Sequence, residues 1–286
     1  MNDFMLRYIF LILGFFSLLR SDAQTPLFKV EVPDSLWKKT SKENSVITIG
    51  NTQGKKSIEP YEFADCKNLE EVTIAEGIEI IGEYAFLGCE KLKKINLPSS
   101  LRKIGEGAFR ECISLETLDI PAGVKTIPAF MCEWDENLRY VKLPRGIVDI
   151  ARGAFQYCTN LTKIDFPPRL RHIGANAFNN CSSLTEVSVP DTMEELESYA
   201  FAGCSSLRKA KMPANSRMLG ELIFTGCPNL EIIECMSSVP PTFDCDSPLI
   251  DPLETELLQK CRLIVPEGSK SRYSKAPGWE LFFKSN

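Results

Sequence analysis

Ile81-Gly82-Glu83-Tyr84-Ala85-Phe86-Leu87-Gly88-Cys89-Glu90-Lys91-Leu92-Lys93-Lys94-Ile95-Asn96-Leu97-Pro98 is followed by Leu101 and then by Ile104-Gly105, where the same series begins again. The unit is 23 residues long: Cys66, Cys89 and Cys112 keep that spacing, so do Cys158, Cys181, Cys204 and Cys227, and two periods separate Cys112 from Cys158. Phe63, Phe86, Phe109, Phe155, Phe178, Phe201 and Phe224 stand three residues before these cysteines, and Leu69, Leu92, Leu115, Leu161, Leu184, Leu207 and Leu230 three after. Three series locked to one period are the signature of a solenoid. One such unit cannot bury its apolar face alone, so stacked neighbours must supply the core. Eight units run from about Ile58 to Cys235.

Within a unit, strand alternation turns Leu92, Ile95 and Leu97 inward and Asn96 outward, and Pro98 ends the strand. The motif resembles the BspA-like, or Treponema-type, bacterial leucine-rich repeats, and the resemblance covers most of the chain. It implies an α/β repeat solenoid, a right-handed superhelix in which L-x-x-I-x-L forms a concave parallel sheet and A-F-x-x-C turns back on the other side. The stretch Cys261-Arg262-Leu263-Ile264-Val265-Pro266, with Tyr273 and Gly278-Trp279, is similar to the family's C-terminal segment. Residues 236–286 are therefore expected to cap one end and residues 24–57 the other, since a bare terminal rung leaves unpaired backbone and open core.

Residues 1–23 read as a secretory signal: Arg7 precedes an apolar run from Tyr8 to Leu19, and Ser21-Asp22-Ala23 has the small-x-small pattern of a cleavage site. That run is shorter than the roughly 20 residues a membrane span needs, and no later stretch is long enough. No cysteine lies near the cleavage point, which argues against a lipoprotein. The expected location is secreted or cell-surface. Net charge is −5, from 33 basic and 38 acidic residues spread along the chain, so no basic footprint for nucleic acid exists.

Eleven cysteines in an exported chain raise the question of disulfides, but the count is odd and the spacing is that of the repeat. A buried thiol behaves as a small hydrophobe, so the aligned cysteines are expected to be reduced and structural. No C-x-x-C pair offers local zinc spacing, and no metal or cofactor is expected. Cys132, Cys235, Cys245 and Cys261 stand off the ladder or near the cap, and Cys245 with Cys261 is the pair that could bridge. His172 is the only histidine and sits in a variable slot before Ile173-Gly174, where a surface side chain is a simpler reading than a general base. No catalytic residue is assigned, and the chain is read as a non-enzyme.

The positions the framework leaves free carry the information. Outward strand residues are Glu71, Lys94, Thr117, Tyr140, Lys163, Glu186, Lys209 and Ile232, and two further on Thr73, Asn96, Asp119, Lys142, Asp165, Ser188, Lys211 and Glu234. Tyr140 is the only aromatic among these sixteen. Its unit also looks irregular: aligned on Phe130 it shortens before that residue and lengthens after it, which would displace a loop carrying Trp134. Trp134 is either a binding anchor or the filler of the hole left by the missing cysteine. The candidate ligand-binding residues are Tyr140, Trp134, Asp119, Lys142, Lys163 and Asp165, for an extracellular protein, peptide or glycan. Similar repeats in bacterial adhesins imply this role, with a structural spacer or surface-assembly component as the alternative. Asp34-Ser35-Leu36 and Asp191-Thr192-Met193 also match a short O-glycosylation pattern, and tripeptides of this kind recur by chance.

Overall fold

The computed structural model describes residues 45–283 except 51–53, 55, 217 and 244–247. The leader, residues 24–44, Asp34-Ser35-Leu36 and Cys245 lie outside the described residues. The described residues belong to one compact unit, a parallel β-solenoid with two strand series. The first series is Val46–Ile49, Glu71–Ile74, Lys94–Asn96, Thr117–Asp119, Tyr140–Lys142, Glu186–Ser188, Lys209–Met212, Ile232–Cys235 and Arg262–Ile264. Its members pair in parallel at one-rung offsets within three runs, such as Glu71 with Lys94 and Thr117 with Tyr140. The side chains alternate as expected, with Ile95, Val141 and Val187 buried between exposed neighbours. The strand of the first unit quoted stops at Asn96, and Leu97 is only half-buried. Pro98, Pro121, Pro144, Pro167 and Pro190 stand just past the ends of successive rungs, where the missing N–H cannot extend the ladder.

The second series consists of two-residue strands, among them Ile80–Ile81, Lys103–Ile104, Asp149–Ile150, His172–Ile173 and Glu195–Leu196. Between the two series each unit returns through turns. α-Helix among the described residues is confined to the C-terminal segment, Thr255–Lys260 and Lys270–Tyr273, followed by a 3-10 turn at Glu280–Phe283.

The turn carrying A-F-x-x-C is a ladder in its own right. Tyr84, Phe86 and Gly88 donate their N–H groups to the carbonyls of Glu106, Ala108 and Arg110 one unit on. To aim alternate amides this way, two positions per turn adopt the left-handed region. Tyr84, Phe130, Asn176 and Tyr199 do so at the first, and Glu111, Trp134, Tyr157 and Asn180 at the second, at φ between 53° and 68°. Glycine fills these positions on some other rungs, as at Gly88 and Gly107. The strain at non-glycine residues, about 1–2 kcal/mol each, is held by the inter-rung hydrogen bonds.

The core is a column of phenylalanines stacked at ring-centroid separations of 5.2 Å (Phe63–Phe86), 5.3 Å (Phe155–Phe178) and 5.4 Å (Phe178–Phe201). Beside it runs the cysteine column. Cys89, Cys112, Cys158, Cys181, Cys204 and Cys227 are buried, and Cys66 on the first rung is half-buried. All ten described cysteines are free thiols, Cys261 included. The cysteine identity has a specific cause. Each buried Sγ donates to a carbonyl of the preceding turn, Cys89 to Phe63 O at 3.2 Å and Cys181 to Phe155 O at 3.2 Å. Alanine would fit the space but make no such bond.

The fourth unit is not displaced, contrary to the reading from Phe130. It keeps the 23-residue register, with Met131 in the alanine slot, Cys132 in the phenylalanine slot and Asp135 in the cysteine slot. Cys158 Sγ accordingly donates to Cys132 O, where other rungs offer a phenylalanine carbonyl. Met131 and Cys132 are both fully buried, and the larger Met131 offsets the smaller Cys132, so the summed side-chain volume of the two slots is nearly kept. Cys132 thus belongs to the core ladder, and Trp134 fills no cysteine vacancy. The carboxyl of Asp135 does, at 0% exposure.

Candidate binding face

Five of the six sequence-chosen residues come together on the first strand series. Thr117, Leu118 and Asp119 pair with Tyr140, Val141 and Lys142, and Tyr140 forms a single parallel bridge to Lys163. Tyr140 is 38% exposed. Around it Lys142 Nζ lies 4.0 Å from Asp119, and Lys163 Nζ lies 2.9 Å from Asp165. The Asp165 contact raises the Lys163 ammonium above its ordinary pKa. Beyond the bridge the ladder lapses until Glu186, and a shallow depression of about 270 Å³ opens over Lys163, Asp165, Glu186, Ser188, Lys209 and Lys211. Phe166 sits under this break, its ring edge-on to Phe178 and Phe201, where the neighbouring rungs carry Leu143 and Val189.

Trp134 joins no strand of that face. It occupies a left-handed turn position, half-buried, and stacks on Tyr157 at 3.8 Å between centroids and 9° between planes. Both rings occupy the same turn position one unit apart, which the 23-residue register makes legible. At the other short match, Thr192 Oγ1 donates to Leu170 O at 2.8 Å.

Sequence reading missed a cluster on the second series. His172 is not a free surface side chain. Its Nδ1 meets Asp149, and its Nε2 lies 2.8 Å from Glu197 Oε1. The Asp149 hydrogen bond, helped by Glu197 and opposed by partial burial, raises the imidazole pKa to about 9. Glu197 Oε2 accepts the Ala175 N–H at 2.8 Å. The available signal was register: Asp149, His172 and Glu195 are one period apart.

Asp135 is a fully buried titratable group in the core. Burial drives its carboxyl pKa well above the usual carboxylate range, against hydrogen bonds from Cys132 and from the Cys112 N–H, the latter at 2.8 Å. The same burial pushes the Cys66 thiol up to about 12 and holds Cys181 well above its ordinary value.

The family model described as a BspA type leucine rich repeat region (6 copies) matches residues 56–134 and 125–241. The chain belongs to the BspA-type leucine-rich repeat family. Among solved structures, this BspA-type chain is similar to a leucine rich cell surface protein from Faecalibacterium prausnitzii A2-165, at 24% identity over 78% of this chain and 69% of that one, with a TM-score of 0.51. A T. pallidum leucine rich repeat protein matches at 25% identity over 65% of this chain and 79% of that one (TM-score 0.46). A Bacteroides ovatus leucine-rich repeat protein matches at 22% over 80% and 73% (TM-score 0.46). A search of curated proteins finds no match. No helix among the described residues is long and apolar enough to cross a membrane.

Proposed function

We propose that this BspA-type repeat is a secreted or cell-surface binding module that engages an extracellular protein, peptide or glycan through the strand face centred on Tyr140. The observation that carries the reading is the exposed Tyr140 ring in register with Thr117 and Lys163. A lone aromatic amid polar rungs is where interface energy concentrates, since Tyr and Trp are enriched among residues that dominate binding. Asp119, Lys142, Lys163 and Asp165 orient the partner by charge, and the depression beyond Lys163 gives it a recess. The Trp134–Tyr157 stack is a second, separate contact surface. Leucine-rich repeats of this kind are generally non-enzymatic binding scaffolds, and no catalytic step is assigned to this one. The leader read at residues 1–23 agrees with export, and the F. prausnitzii protein that shares the fold is a cell surface protein. The test is a binding screen of the chain from Gln24 against extracellular-matrix proteins and glycans, followed by point variants. Tyr140→Ala is expected to weaken a hit by about 1 kcal/mol or more, and Glu71→Ala at the margin to leave it unchanged. A hit indifferent to Tyr140→Ala, or no hit at all, removes this face from the role.

A further inference from the structure

We propose that His172, Glu195 and Glu197 form a binding site for a borderline divalent metal ion of the zinc class, with Asp149 holding the imidazole in the ligating orientation. One atom from each of the three residues lies within 4.8 Å of the others, the span a single ion bridges. They come from adjacent rungs: Asp149 pairs with His172 and His172 with Glu195 in the parallel register, while Glu197 follows Glu195 by two residues and so returns to the same side. With Asp149 engaging Nδ1, His172 presents Nε2 to Glu197. A metal-bound histidine ordinarily has just this arrangement, with its second nitrogen tied to a carboxylate that fixes the ring. One imidazole and two carboxylates leave coordination positions for water, and an imidazole in the donor set favours zinc, copper or nickel over magnesium or calcium.

Departures from the repeat support the assignment. The outward column that carries Asp149, His172 and Glu195 holds Ile80, Lys103 and Thr126 on earlier rungs and Met218 on the next, so nothing in the framework calls for a ligand type there. Glu197 stands where the flanking rungs have Gly174 and Gly220. A Cβ at those two glycines would come within 2.6 Å of Arg152 N and 2.1 Å of Ser198 N; other rungs carry Glu59, Pro128 and Ala151 in this slot, so the clearer departure is the Asp149, His172 and Glu195 column. A depression of about 160 Å³, bounded by Glu195, Glu197, Ser198 and Ala175, adjoins the carboxylates and has room for an ion with its waters. Without metal, Nε2 and Glu197 Oε1 lie at hydrogen-bond distance, 2.8 Å, so an ion displaces a proton there.

The chain has one histidine, so its imidazole is the sole such reporter in a preparation without a histidine tag. The experiment is calorimetric titration of the exported chain, kept reduced, with Zn²⁺ and separately with Mg²⁺, together with ¹⁵N imidazole spectra. One equivalent of Zn²⁺ is expected to bind and shift the Nε2 resonance, with Mg²⁺ far weaker. His172→Asn should abolish this binding, Asp149→Asn should weaken it about 10- to 100-fold, and Lys103→Ala on the same column should leave it intact. Co²⁺ should give no intense thiolate charge-transfer band, which separates this site from the cysteines. Zn²⁺ binding that survives His172→Asn, an unmoved Nε2 signal, or Mg²⁺ binding as tight as Zn²⁺ overturns the proposal.

Discussion

A carboxyl group at 0% exposure in a cysteine slot carries a desolvation cost that a thiol there does not. Asp135 accepts hydrogen bonds from the Cys112 N–H and the Cys132 thiol, yet burial still holds its carboxyl pKa well above the usual range. On other rungs a thiol in this slot donates to a carbonyl and requires little desolvation. The pH dependence follows from the raised carboxyl pKa. Below the unfolded value of about 3.9 both states hold the proton. As pH rises above it, the unfolded chain ionises while the folded one keeps its proton, so the unfolded state is favoured by about 1.4 kcal/mol per pH unit until the folded pKa is reached. Asp135→Cys is therefore expected to stabilise the protein at neutral pH, and the gain should shrink toward zero as the pH falls to about 4. Urea titrations of both proteins across that range check it. A gain that does not change with pH would mean that Asp135 is ionised in the fold and compensated there.

At the scale of the element, the turn and its two columns explain which parts of the sequence could be read and which could not. The cysteine and phenylalanine series fix the period wherever the slot chemistry is kept. They fail at the fourth unit because Met131 and Cys132 exchange volumes and Asp135 replaces the thiol, while the backbone register, set by hydrogen bonds that any residue can make, continues unbroken. The left-handed turn positions were likewise illegible, since tyrosine, asparagine and tryptophan together hold more of them than glycine does. The strand face was legible because alternation is enforced by burial. The histidine cluster was overlooked because its members are far apart in sequence and only rung-to-rung stacking unites them. A prediction belongs to this scale. Thiols that are buried and held protonated react through the thiolate only after opening. Alkylation followed by mass spectrometry should modify half-buried Cys66 first and leave Cys89, Cys112, Cys158, Cys181 and Cys204 unmodified until denaturant is added. Prompt native labelling of those five, or bridges among them, would break the column as described.

For the whole solenoid, each rung touches only its neighbours, so stability is close to a sum of rung and interface terms and the last rung is the weakest unless something covers it. Residues 236–286 are suited to that task. Arg262–Ile264 adds a strand beside Ile232–Cys235 and satisfies its free edge. Behind it Tyr273 and Trp279 are fully buried, their rings edge-to-face at 5.1 Å. Their polar tips are bonded, Tyr273 Oη to Ser237 O at 2.9 Å and Trp279 Nε1 to Pro241 O at 2.8 Å. Truncating Trp279 to alanine removes a buried aromatic, for which about 3–5 kcal/mol is the ordinary cost. In a nearest-neighbour stack that loss need not unfold everything. It should first release the terminal rungs, producing a lower-temperature transition ahead of the main one in calorimetry. Deleting residues 236–286 goes further, because it bares the Ile232–Cys235 edge and the buried Ile233 and Cys235 beside it, a template for pairing with a second chain. The shortened protein is expected to associate with rising concentration in light scattering, while the full chain does not under the same conditions. If the deletion melts in one step at the full-length temperature and stays monomeric, the segment contributes nothing to closing the stack, and the terminal rungs must be stable by themselves.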